Sequence, residues 1–193
     1  MDHVISNARL TIGKAAGLLA KGSQLQLSKE SEAAIIRCRE FLDSKMGDIG
    51  RPVYGVTTGF GSLCNITVPA AELSQLQHNL VMSHACGIGD EVRPEIVKLM
   101  LLLKIQSLSY GYSGVQLVTV QRLMDMFNND ILPVVYQQGS LGASGDLAPL
   151  AHMCLPLIGM GEVRYKGKLV PAAELWKELG WEPSLQFEEG IEK

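Results

Sequence analysis

Residues 138–146 read Gln138-Gly139-Ser140-Leu141-Gly142-Ala143-Ser144-Gly145-Asp146, and an apolar segment runs from there to Ile158. Small residues permit unusual backbone angles and close approach. An acidic N-cap followed at once by an apolar helix turns unpaired N–H groups and the positive dipole end towards the loop. Such a place favours developing negative charge, so it suits an electrophile or an anion. Helical signals dominate on the upstream side. Residues 9–20 are amphipathic. Ser28 is a candidate N-cap, with Glu30 and Glu32 in the first turn of a helix towards Met46, broken by Gly47 and Gly50-Arg51-Pro52. Pro69 suits the first position of a helix ending at Gly87, whose apolar stripe Leu73, Leu76, Leu80 continues to His84. Pro94 opens another helix through Leu108, and a further one ends near Asn128-Asn129. Downstream, Val163-Arg164-Tyr165, a Lys166-Gly167 turn and Leu169-Val170 spell a hairpin, and Pro171 to Leu179 a short helix stopped by Gly180. Extended chain is also expected around residues 53 and 132. The fold expected is mainly α with a small β component.

Composition narrows the function classes. The chain has 193 residues, 47% hydrophobic and 19% charged, with 17 basic against 20 acidic side chains and a net charge of −3. That apolar content excludes disorder, and the balanced charge gives no nucleic-acid footprint. The longest aliphatic stretch, Leu99 to Leu103, lies between Lys98 and Lys104, far short of the ~20 residues a bilayer requires. Met1-Asp2-His3 offers no secretory lead, so a cytoplasmic protein is expected. Cys38, Cys64, Cys86 and Cys154 lie far apart with no metal spacing, which reads as buried, reduced thiols and no metal site. A mean hydropathy of +0.14 suggests that some apolar faces meet other subunits or further chain.

Three chemistries could use the 138–146 run. A phosphate cradle needs a lysine after the glycines, where Asp146 stands instead. A nucleophile elbow needs G-x-S-x-G, and Asp146 breaks that pattern. Backbone autocatalysis remains. With glycine at 145, its amide nitrogen can reach the Ala143 carbonyl carbon, close a five-membered ring and let Ser144 dehydrate. The product is a 4-methylideneimidazol-5-one, an electrophile that needs no added cofactor. On composition alone, a plain glycine loop before a helix stays equally open.

Gly139 to His152, Gly-Ser-Leu-Gly-Ala-Ser-Gly-Asp-Leu-Ala-Pro-Leu-Ala-His, resembles the signature of the aromatic amino acid ammonia-lyases. Tyr54-Gly55-Val56-Thr57-Thr58-Gly59-Phe60-Gly61 is similar to that family's active-site loop, and lies at the usual separation. Leu76 to His84 and Ser113-Gly114-Val115 resemble family segments too. The likeness covers nearly the whole chain.

The resemblance implies a carbon–nitrogen lyase whose electrophile forms autocatalytically from Ala143, Ser144 and Gly145, with Asp146 implicated in forming it. It implies Tyr54 as the base of the elimination. A phenol, with an ordinary pKa of ~10, is a poor base at neutral pH, so that role asks for helix dipoles or nearby donors. Gly61 matches a glycine that lets the loop approach substrate. Ser83 and His84 stand where the family sorts substrates, and a Ser-His pair resembles its histidine-specific members, which convert L-histidine into trans-urocanate and ammonia. A polar pocket also rejects a phenyl ring that leaves it unsatisfied. Thr57 departs from the asparagine usual in those members. A tyrosine- or phenylalanine-specific lyase or an aminomutase is the alternative within the family. His78 and His152 are expected on a helix surface or behind the site. The resemblance further implies a homotetramer, with residues 1–110 as an N-terminal active-site domain and 111–193 as the start of a central helical bundle. This chain would then stop before the downstream residues that hold the substrate carboxylate, and be catalytically silent by itself.

Overall fold

The computed structural model describes residues 2–20, 22–46, 53–139 and 145–183. Its elements are β1 (Asp2–Ile5), α1 (Ile12–Leu18), β2 (Gln24–Leu27), α2 (Lys29–Met46), α3 (Leu73–His84), β3 (Ile88–Glu91), α4 (Pro94–Ser109), α5 (Leu117–Asn128), β4 (Leu132–Pro133), β5 (Tyr136–Gln138), α6 (Ala148–Cys154), β6 (Glu162–Tyr165), β7 (Lys168–Pro171) and α7 (Ala172–Leu179). The architecture is mainly helical, with three small sheets among the described residues. Its core lies between α4 and α5, where Val97, Leu101, Leu102 and Ile105 of one helix and Val120, Leu123, Met126 and Phe127 of the other are buried. Burying each such side chain stabilises the fold by about 1.5–3 kcal/mol. Ile5 and Leu25 join this core from the N-terminal strands, and Val163, Leu175 and Trp176 from the C-terminal elements.

Local chemistry explains most boundaries. Ser28 Oγ accepts the Ser31 N–H at 3.1 Å, capping α2 as expected. Thr11 Oγ1 does the same for Lys14 at 3.3 Å, so α1 starts at Ile12 and is shorter than the amphipathic stretch 9–20. The hairpin forms with Arg164 opposite Leu169, and Lys166 and Gly167 both take positive φ at its turn. β4 adds a third strand through Leu132 and Arg164. Gly180 ends α7 in the left-handed region, at φ 66°.

Several expectations need correction. Pro69 does not open α3: a 3-10 turn, Ala70–Glu72, intervenes, and the α-helix begins at Leu73 and ends at His84 rather than Gly87. No strand lies at residue 53 among the described residues; the loop there makes an isolated bridge between Thr58 and Thr67. The parallel pair β1–β2 was not expected. It gains a side-chain partner from α5, where Asn128 accepts the Leu25 N–H at 2.7 Å and donates to the Leu25 carbonyl at 3.0 Å. The four cysteines are free, but none is fully buried, and Cys86 is exposed.

Candidate active site

The loop from Val53 to Phe60 is held by its own threonines. Thr57 Oγ1 accepts the Val53 N–H at 2.9 Å, and Thr58 Oγ1 accepts the Gly55 N–H at 3.3 Å and donates to the Gly59 carbonyl at 3.0 Å. Both threonines are buried. Gly55 turns the chain at φ +69°, and a Cβ there would lie 2.5 Å from the Phe60 ring, so a side chain would strain the backbone and push that ring aside. Tyr54 therefore stands out from the loop, 62% exposed, with its ring 5.5 Å from that of Phe60. Its hydroxyl oxygen accepts the Gly61 N–H at 3.4 Å.

Helix α3 carries the second group. The Ser83 hydroxyl donates to the Leu80 carbonyl at 3.1 Å, and His84 Nδ1 lies 2.7 Å from the same oxygen. A carbonyl oxygen only accepts, so Nδ1 holds the hydrogen and, in the neutral ring, Nε2 keeps a lone pair. The Phe60 ring meets the His84 ring edge-on, centroids 5.5 Å apart. Phe60 thus bridges Tyr54 and His84. Gln77, seven residues before His84 on the same helix face, donates through Nε2 to the Gly55 and Val56 carbonyls at 3.2 and 3.4 Å.

Helix α6 supplies the third part and packs against α3. Ala143 and Ser144 lie outside the described residues; Gly145 and Asp146 lie within them. Gly145 has φ +106°, and nothing crowds the place of a Cβ. Asp146 is not the helix N-cap; Leu147 holds that position with no side-chain cap, while Asp146 Oδ1 accepts the Ala148 N–H at 3.0 Å. The same carboxylate occupies the space a side chain at Gly139 would need. A backbone that only glycine adopts readily, beside a carboxylate seated in a glycine-made cradle, fits a ring built from residues 143–145.

A profile of the family described as "Aromatic amino acid lyase" matches residues 10–191. The chain belongs to this family. It is 45% identical to a histidine ammonia-lyase of Deinococcus radiodurans over 190 residues, covering 97% of this chain and 36% of that protein. Among solved structures, the histidine ammonia-lyase of Trypanosoma cruzi superposes with a TM-score of 0.83 at 33% identity, covering 95% of this chain and 35% of that one. A phenylalanine aminomutase of Pantoea agglomerans gives a TM-score of 0.86 at 31% identity, covering 94% and 34%. The chain thus spans just over a third of the length of the curated relatives it matches.

Of the lyase residues expected from sequence, Tyr54, Gly61, Ser83 and His84 gather at one end of α3 and its neighbouring loop, linked by Phe60 and Gln77. Asp146 and Gly145 stand at the head of α6. Two further residues matter at this site. Gln77 falls on the stripe Leu73, Leu80, His84, and a polar residue on an otherwise apolar face was the signal. His152, expected on a surface or behind the site, is only 7% exposed and bonds to Gly87. Hollows of about 430 Å³ between α2 and α5, and about 480 Å³ beside Trp176 and Trp181, lie away from the site and include none of its residues.

Proposed function

We propose that this chain carries the N-terminal part of a histidine ammonia-lyase site, for non-oxidative elimination of ammonia from L-histidine to give trans-urocanate. The observation that carries this reading is the locked His84 ring: Nδ1 is committed to the Leu80 carbonyl, which leaves Nε2 to accept a hydrogen bond from a substrate imidazole N–H. A phenyl side chain would leave that acceptor unsatisfied, and desolvating it unpaired costs about 1–3 kcal/mol. Ser83 supports the same choice by sharing the Leu80 carbonyl and standing 3.2 Å from Nδ1.

In this reading Tyr54 Oη takes the substrate β-proton, and the Gly61 N–H holds that oxygen in place. The Phe60 ring packs between Tyr54 and His84 and sets their spacing. Ala143, Ser144 and Gly145 build a 4-methylideneimidazol-5-one, which when formed supplies an electrophile without any external cofactor. Asp146 assists ring formation from its place beside Gly139. The whole protein is a homotetramer, with residues 1–110 as the N-terminal active-site domain and 111–193 opening the helical bundle. It works in the cytoplasm, which suits four free thiols; no helix among the described residues is long and apolar enough to cross a membrane.

Intact mass under denaturing conditions tests the ring. A mass lower by two waters than the open chain is expected of the whole protein, and an unmodified mass there overturns the electrophile. Turnover of the whole protein on L-histidine, L-tyrosine and L-phenylalanine tests the substrate. Urocanate from L-histidine is expected. Preferential elimination from either of the others, or a β-amino acid product, overturns the substrate assignment.

A further inference from the structure

We infer that His152 is a positioning residue for the Ser83–His84 pair, acting through a hydrogen bond that its Nε2 accepts from the Gly87 backbone. The N···N distance is 2.9 Å, and the partners are 65 residues apart in sequence. Helix α3 has no fully buried residue, so apolar packing alone anchors it weakly. Its end is closed by Ala85, whose N–H bonds to the Val81 and Met82 carbonyls, and the chain then leaves the helix. Gly87 lies three residues beyond His84. A directed bond there fixes the end of the helix that presents His84.

The other side of this bond is buried and packed. His152 sits in the middle of α6, 7% exposed, with its ring edge-on to Tyr136 of β5, centroids 5.2 Å apart. A Cβ on residue 87 would lie 3.0 Å from His152 Nε2 and 3.2 Å from Tyr136 Cβ, so glycine lets the strand–helix junction close on the ring. Three elements meet at one imidazole. Because α6 follows Gly145 and Asp146 directly, the bond also relates the substrate-sorting end of α3 to the loop that would form the ring.

The bond dictates a protonation state. Nε2 accepts, so its lone pair is in use and the hydrogen of the neutral ring must be on Nδ1. Burial lowers the His152 pKa, which favours that neutral form. The importance of Ser83 and His84 rests on the function proposed above. The bond itself does not, and the experiment reads the bond without substrate.

The 193-residue chain, labelled with ¹⁵N at histidine, should show the His152 hydrogen on Nδ1. Replacing His152 by Phe keeps an aromatic ring but removes the acceptor. In His152→Phe the Gly87 amide should exchange with solvent about tenfold faster, and in His152→Gln, whose amide oxygen can accept, it should return to within about threefold of the parent. The His84 ring signals should move in the Phe variant and return in the Gln variant. The Trp176 indole N–H, which donates to the Pro156 carbonyl at 2.7 Å, should stay fixed in both. A hydrogen on Nε2 of His152 overturns the inference. So does unchanged Gly87 exchange in His152→Phe, or a Trp176 signal that moves with His84, since the role would then be general stability. Should His152→Phe fail to fold, the parent tautomer and Gly87 protection in His152→Gln decide. Failure of histidine turnover would leave these signals intact and count only against the proposed function.

Discussion

The Leu80 carbonyl holds the hydrogen-bearing Nδ1 of His84, and in the proposed function Nε2 is the nitrogen left to face the substrate. Replacing His84 by Leu should therefore lower kcat/KM of the whole protein for L-histidine by about tenfold or more and raise it for L-phenylalanine; parallel assays of the two substrates check this, and unchanged selectivity would remove His84 from substrate choice. His152 gives a second residue-scale prediction, on stability against pH. Its pKa in the fold lies below the ordinary 6.5 because burial penalises the charged ring. Below pH 6.5 the unfolded chain takes up a proton that the folded chain refuses, so acid favours unfolding. The contribution is complete above that pH and fades as pH falls towards the folded value, with a slope of at most about 1.4 kcal/mol per pH unit. Tyr136 is the titratable side chain in ring contact. Urea midpoints at pH 7.5 and 5.5 should fall further for the parent chain than for His152→Gln. His3, whose pKa is lowered by burial and then by Lys14, is common to both and drops out of the difference.

Among the elements, α3 is held by side-chain bonds more than by burial. Gln77, within the helix, ties it to the Tyr54 loop, and His152 ties the chain just beyond it, at Gly87, to α6. Replacing Gln77 by Leu preserves helix propensity but abandons the Gly55 and Val56 carbonyls. The chain should then lose about 1 kcal/mol of stability, and residues 53–60 should become accessible to limited proteolysis while α4 and α5 stay protected. Equal protection of the loop in the variant would show that the threonine bonds suffice. What the sequence revealed at this scale follows from how local the signals are. Ser28, Pro94, Gly180 and the Lys166-Gly167 turn act on their own neighbours, and those boundaries were legible. The pair β1–β2 was hidden because its partner in α5, Asn128, is 103 residues from Leu25. The Gly87–His152 bond was hidden for the same reason. The motif residues Tyr54, Ser83, His84 and Asp146 are legible in the sequence, but the Phe60 ring that joins two of them is brought there only by the fold of the loop against α3.

At the scale of the whole molecule, the core and the site have opposite characters. Phe127, Leu101, Ile105 and Val163 are sealed, whereas Tyr54 is 62% exposed and Ser83 lies at the surface of α3. Ile12 and Tyr112 are exposed at 92% and 88% on other faces. An elimination that develops charge needs a water-excluded, preorganised surround, since low dielectric is what makes fixed donors effective. In the proposed reading this chain supplies one wall of such a site; it spans just over a third of its relatives' length. The 193-residue chain alone should therefore produce no urocanate from L-histidine above the uncatalysed rate, even if its mass shows the ring. Adding the complementary segment of a relative, from the residue that aligns after Lys193, should restore turnover and lower the exposure of Tyr54 to chemical modification. Urocanate formation by the isolated chain would show that the open wall is sufficient, and would make the remaining length a matter of assembly instead of chemistry.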